Sequence, residues 1–187
     1  MKFKLDTNSS EVQFVVGHLA ASSVKGKFAR YNSELETYDK DLSGAVFSVW
    51  IETDSIDTNS TQRDKHLKSA DFFNCSKFPK MTFEGVYIPA GKGAGKSKIE
   101  GALTIKNITR NTVLTVEDEL VTTDTHNRPK YIMKLTGNVN RKDFGLRWNA
   151  ISEIGGLVIS DRITMNIHAE YAATPEHNSS ASDAAEE

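Results

Sequence analysis

The sequence predicts an all-β protein of about eight antiparallel strands, closed as a barrel or stacked as a sandwich. Three observations carry that reading. Apolar and polar residues alternate with a period of two in segment after segment, the signature of strands with one buried face. Short clusters of Asp, Asn, Ser, Gly and Pro separate those segments, at intervals suited to sandwiches and barrels. Only one stretch carries good helix signals.

In chain order, the N-terminal MKFKLDTNSSEVQF alternates at once and reads as a first strand. It contains no apolar run of signal-peptide length. The expected location is therefore cytoplasmic, or periplasmic if the natural N-terminus has been removed. EVQFVVGH puts Val12, Phe14, Val16 and His18 on one face. SGAVFSVWIETD puts Phe47, Val49 and Ile51 on one face and Val46, Ser48, Trp50 and Glu52 on the other. KMTFEGVYI offers Met81 and Phe83, KIEGALTIKN offers Ile99, Leu103 and Ile105, and NTVLTVEDEL offers Leu114 and Val116. DRITMNIHAEY sets Ile163, Met165, Ile167 and Ala169 against Thr164, Asn166, His168 and Glu170. Residues 26–38 and 130–140 are weaker strand candidates. The last stretch, TPEHNSSASDAAEE, has no large apolar residue and is expected to be a disordered acidic tail over 173–187, after one domain spanning 1–172.

The helix is expected over 60–71. Asn59, Ser60 and Thr61 can all cap it, and Asp64 falls in its first turn, where negative charge is favoured. Pro79 blocks any resumption. Leu67 and Ala70 share a face, and the segment ends in Phe72-Phe73.

Composition excludes several classes. Apolar residues make up 38% with no run long enough to span a bilayer, so no stable membrane insertion is expected. A balance of 23 basic and 25 acidic residues argues against a dedicated nucleic-acid binder. Cys75 is the single cysteine, which rules out an internal disulfide and a cysteine zinc cluster. The five histidines show no metal-ligand spacing, so neither a metal nor another cofactor is expected. GKGAGKS at 91–97 has one residue too few for a phosphate-binding loop and leads into a strand pattern, so it reads as a hairpin loop. There is no G-x-S-x-G elbow. Glu117, Asp118 and Glu119 are consecutive and alternate sides of a strand, which excludes a clean acid/base pair. NRKDFGLRW at 140–148 interleaves basic and aromatic residues. That pattern suits either stacking on single-stranded nucleic acid or a bend at Gly145.

Several blocks together resemble the YceI family of lipocalin-like proteins. They are SSEVQFVVGHL with VKGKFARY, SIDTNSTQRDKHLKSADFFNCSKFPKMTFEG, IEGALTIKNITRNTVLTV and NRKDFGLRWN. The Arg63-Asp64, His66-Leu67, Asp71-Phe72-Phe73 constellation is the most specific of these. The resemblance implies an antiparallel barrel of about eight strands around an internal lipophilic tunnel. It also implies binding of polyisoprenoids or other long apolar chains, and often dimers. Many members are exported, whereas this chain shows no signal peptide.

An eight-stranded barrel is just wide enough to be filled by side chains or to hold one small ligand. The alternating faces then predict the ligand contacts. Phe14, Phe47 and Phe83 are expected to line the interior with Val16, Val49, Ile51, Leu103, Ile105 and Leu114. Phe28, Phe144, His18 and Trp148 are further candidates. Leu67, Phe72 and Phe73 are expected to face the tunnel, with Arg63 and His66 at its polar end. Arg63 either meets a ligand head group or forms an ion pair that fixes the helix, with Asp64 and Asp71 nearby in sequence. The leading expectation is a non-enzymatic carrier, store or scavenger of an isoprenoid lipid or quinone. The alternatives are a ligand-free structural or stress-related barrel, and an enzyme using His18 or His66 on such a ligand.

Overall fold

The computed structural model describes residues 1–18, 23–38, 41–91, 95–124, 127–147 and 159–174. Its strands are β1 (Lys2–Leu5), β2 (Glu11–His18), β3 (Ser23–Phe28), β4 (Tyr31–Glu36), β5 (Val46–Glu52), β6 (Ile56–Asp57), β7 (Lys80–Ile88), β8 (Lys98–Ile105), β9 (Ile108–Thr123), β10 (Pro129–Asn140) and β11 (Ile159–Ala173). One helix, α1, spans Thr61–Lys68. None of the described helices is long and apolar enough to cross a membrane.

The sheet runs β1-β4-β5-β7-β8-β9-β10-β11-β2-β3-β6, and β1 returns to pair with β11. The circuit is a closed eight-stranded antiparallel barrel. The eleven segments reduce to eight because three strands are interrupted. β1 and β2 both pair with β11 and form one broken strand. The break is a turn at Asp6, whose carboxylate accepts from the Asn8 amide and the Ser9 hydroxyl. β3 and β4 are joined in the same way through Ala29-Arg30, as are β5 and β6 through a 3-10 turn at Thr53–Ser55. The weaker sequence patterns at 26–38 and 130–140 also form strands.

Antiparallel order sends alternate connections to opposite ends. At one end lie the α1 segment, the Lys106-Asn107 turn and the corner at 141–147. At the other lie the chain's N-terminus and the connections leaving β4, β7 and β9.

Inward residues at this second end are packed solid. Phe3, Leu35, Phe47, Tyr87, Ile99, Tyr131, Met133 and Tyr171 are each at most 3% exposed. Phe3 meets Tyr131 edge-on at 4.9 Å between ring centres, and Phe47 meets Tyr171 at 5.7 Å. Such pairs favour edge-to-face geometry. The Tyr171 hydroxyl and the buried Ser33 Oγ lie 2.8 Å apart in a hydrogen bond. The Tyr87 hydroxyl donates to Glu119 at 2.7 Å. The β7–β8 ladder closes tightly at Gly101, where a Cβ would stand 2.1 Å from the Glu84 carbonyl oxygen.

Two predictions follow from this packing. Gly101→Ala is expected to destabilise the barrel by more than about 2 kcal/mol in urea denaturation, because backbone must move. Gly91→Ala, with open space around it, should fall within about 0.5 kcal/mol of the parent. The second concerns alkaline pH. Burial pushes the Tyr171 phenol up to about 12. Burial above all, opposed by Ser97 and reinforced by Glu119, does the same to Tyr87. Both hold their protons more tightly folded than unfolded. Their contribution is therefore complete below the unfolded value of about 10 and is lost as pH rises through about 12. Their phenolate absorbance should appear together with loss of the near-ultraviolet circular dichroism.

Candidate functional site

Towards the α1 end the interior opens into a cavity of about 300 Å³. Its wall is built from the same alternation that fills the packed half, one or two layers further along each strand. β2 contributes Val12, Phe14 and Val16; β5 contributes Val49 and Ile51; β7 contributes Met81 and Phe83. β8 adds Leu103 and Ile105, β9 adds Thr112 and Leu114, and β11 adds Ile163, Met165 and Ile167. Core residues of this wall such as Phe83, Leu103, Ile105 and Leu114 are 6–8% exposed. That small exposure, against 3% or less in the packed half, marks where the interior is unfilled.

The α1 segment closes part of the mouth. Ser60 caps the helix by accepting the Arg63 amide at 3.4 Å. Asp64 turns back to Thr58, accepting from its amide at 3.0 Å and its hydroxyl at 2.5 Å. Arg63 donates from Nε to Thr58 Oγ1 at 2.8 Å and from Nη2 to the Thr58 carbonyl at 2.7 Å. The helix ends at Lys68, earlier than the sequence suggests, because Ser69 accepts the C-cap role and Ala70 is exposed. Backbone bonds from Phe73 to Leu67 and from Cys75 to Lys68 then fold the chain under the helix. Phe72 and Phe73 are buried and, with Leu67, reach the cavity. Phe73 packs edge-on against Phe28 at 6.2 Å, and Phe28 against Phe14 at 5.6 Å. This aromatic run forms one side of the wall.

The corner at 141–147 closes another part. The Asn140 side chain accepts the Lys142 amide, and Gly145 ends the 3-10 turn at φ 72°. Arg141 is 5% exposed. It donates to the Leu146 carbonyl at 2.8 Å and the Ser160 carbonyl at 3.2 Å, and it pairs with Asp161 at 3.0 Å. Lys142, with Arg141 behind it, holds the Asp161 carboxyl below the usual carboxylate range. Phe144 and Leu146 are buried against the cavity. Over the described residues 140–147, the bend is the reading that is formed. The nucleic-acid reading needs an exposed Phe144 and Arg141, and both are buried.

Fourteen of the eighteen predicted contacts therefore line the cavity: Phe14, Val16, Phe28, Val49, Ile51, Arg63, Leu67, Phe72, Phe73, Phe83, Leu103, Ile105, Leu114 and Phe144. Phe47 lies in the packed half against Tyr171 instead. His66 stands outside the lining, 3.3 Å from Asp71 Oδ2 and edge-on to Phe72 at 5.2 Å. The His18 side chain and Trp148 lie outside the described residues, as does the chain beyond Thr174. The expected ion pair of Arg63 with Asp64 or Asp71 is not formed. Asp64 is committed to Thr58 and Asp71 faces His66.

Lining residues that sequence reasoning left out include Val24, Ile56, Thr58, Met81, Val139, Arg141, Leu146 and the β11 set. The alternation of 163–169 was a usable signal for β11. Nothing in the sequence marks Arg141 as a buried wall residue. No group of three or more His, Cys, Asp or Glu suited to a metal ion occurs among the described residues.

A closed antiparallel barrel with an apolar cavity at one end defines a lipocalin-like class of protein. The family model of the YceI-like domain matches residues 3–171, so the chain belongs to that family. The UPF0312 protein of Staphylococcus aureus strain MSSA476 is 32% identical over 171 residues, 91% of this chain and 96% of the relative. The YCEI protein of Campylobacter jejuni is 28% identical with a TM-score of 0.67, over 84% of this chain and 90% of that one. BcnA of Burkholderia cenocepacia shares the fold at 18% identity and a TM-score of 0.71, over 91% and 99% of the two chains. A polyisoprenoid binding domain from Saccharophagus degradans does so at 16% and 0.66, over 92% and 98%.

The two arginines are expected to behave differently. Arg141→Leu strands two carbonyls, leaves Asp161 to Lys142 alone and should cost about 2–4 kcal/mol in urea denaturation. Arg63→Gln, at an exposed position, should cost less than about 1 kcal/mol.

Proposed function

We propose that this protein binds a long-chain apolar lipid, a polyisoprenoid or an isoprenoid quinone, inside the barrel as a carrier, store or scavenger. The observation that carries the reading is the cavity itself. Its wall is aliphatic and aromatic, and its few polar side chains include Thr58, Thr112, Arg63 and Arg141. A hydrocarbon chain needs no hydrogen bonds, and each buried methylene gains about 0.8 kcal/mol. The polyisoprenoid binding domain of Saccharophagus degradans, which has this fold, supports the same choice of ligand. The unfilled interior counts against a ligand-free structural barrel. His66, set outside the lining and turned to Asp71, counts against an enzyme that would use it on a bound ligand.

Arg63 is assigned to the ligand's polar end. It is exposed, it lines the mouth, and its only hydrogen-bond partner through the guanidinium among the described residues is Thr58. The guanidinium keeps its charge and part of its donor fork for an anionic head group such as a diphosphate.

Native mass spectrometry of the purified protein, with organic extraction of what it releases, tests the reading. A stoichiometric isoprenoid is expected. A protein that stays empty when isoprenoids are added would overturn it. Leu103→Trp, which fills the cavity, should abolish loading while leaving the fold intact by circular dichroism. Arg63→Gln should weaken binding of an isoprenoid diphosphate by about tenfold or more and leave the matching alcohol unaffected.

A further inference from the structure

We infer that the cavity mouth docks on a membrane surface rich in anionic lipid. This rests on the lipid-carrier reading above. A long apolar chain resides in bilayers, so a carrier of one has to bring its opening to a membrane.

The charges of the two ends differ in number and in pairing. The described connections at the mouth, residues 58–79, 106–107 and 141–147, hold eight basic and three acidic residues, in a chain whose net charge is −2. At the packed half most of the cations are neutralised in place, Lys4 excepted. Lys2 pairs with Glu36, Lys96 with Glu117, Lys98 with Glu100, Arg128 with Asp124, Lys130 with Glu170 and Lys134 with Asp118. At the mouth, Arg63, Lys65, Lys68, Lys106 and Arg147 have no carboxylate within ion-pair distance among the described residues. The acids there are engaged or few. Asp64 is bonded to Thr58, Asp71 faces His66, Asp161 serves Arg141 and Lys142, and Asp143 is exposed.

These cations sit on three separate connections that the barrel brings to one end. Two of those connections also supply Arg63, Leu67, Phe72 and Phe144 to the cavity lining. An anionic leaflet attracts each nearby Lys or Arg by about fivefold in affinity, within a screening length of about 10 Å. The excess of unpaired mouth cations therefore orients the protein opening-first, while the packed half, with most of its cations paired, faces away.

Flotation with vesicles tests the inference. The vesicles are phosphatidylcholine alone, or phosphatidylcholine with about one quarter phosphatidylglycerol. The parent should bind the anionic vesicles only, and lose them at about 0.5 M salt. The variant K65Q/K68Q/K106Q/R147Q should bind them at least about 50-fold more weakly yet load isoprenoid normally by native mass spectrometry. K2Q/K4Q, at the packed end, should bind as the parent does. Equal binding to both vesicles, no effect of the mouth variant, or capture of a single-stranded oligonucleotide in preference to vesicles would overturn the docking. An isoprenoid-loaded protein that ignores anionic vesicles refutes the docking alone. Selective vesicle binding by a protein that never loads isoprenoid supports the docking and refutes the carrier reading instead.

Discussion

One end of this barrel is sealed, and the rest of the molecule is arranged around that fact. The seal is a layer of aromatic side chains from strands far apart in the chain, joined by the Tyr171–Ser33 hydrogen bond in the core. An eight-stranded barrel has an interior just wide enough for side chains or one ligand. Filling half of it with Phe3, Phe47, Tyr131 and Tyr171 supplies the close packing on which stability depends. The other half is thereby free to remain open. Close packing and open volume are separated along the barrel axis, so the wall residues at the mouth do not carry the whole fold.

Two arginines border the open half and do different work. Arg141 is a buried brace that ties the 141–147 corner to β11 through carbonyl groups and Asp161. A buried charge survives only with such partners. Arg63 is exposed and anchored to Thr58, with no carboxylate partner among the described residues. The first keeps the wall in position; the second leaves positive charge at the entrance. His66 supports the same segment by packing on Phe72, which seats that ring in the wall.

The fold was legible because period-two alternation reports directly which face of a strand is buried. β10 was harder to see because Ile132 adds an apolar residue to the outer face beside Tyr131 and Met133. Much of the site was legible for the same reason as the fold. Alternation gives the face but not the level along the barrel axis, however. Phe47 and Val49 share a face, yet Phe47 meets Tyr171 in the packed half and Val49 reaches the cavity. Arg141 was illegible because two of its partners, Ser160 and Asp161, lie on β11. The Arg63–Asp64 pair was a poor expectation on helical geometry, since adjacent residues do not face each other. Asp64 turns to Thr58 across the start of the helix.

The most direct measurement is methyl nuclear magnetic resonance of the protein labelled at Ile, Leu, Val and Met, titrated with an isoprenoid alcohol. The account predicts shifts at Ile105, Leu114, Ile163 and Met165 around the cavity, with Leu35, Ile99 and Met133 in the packed half unmoved. Shifts centred on the packed half, or on surface methyls such as Val113 and Val121, would contradict it.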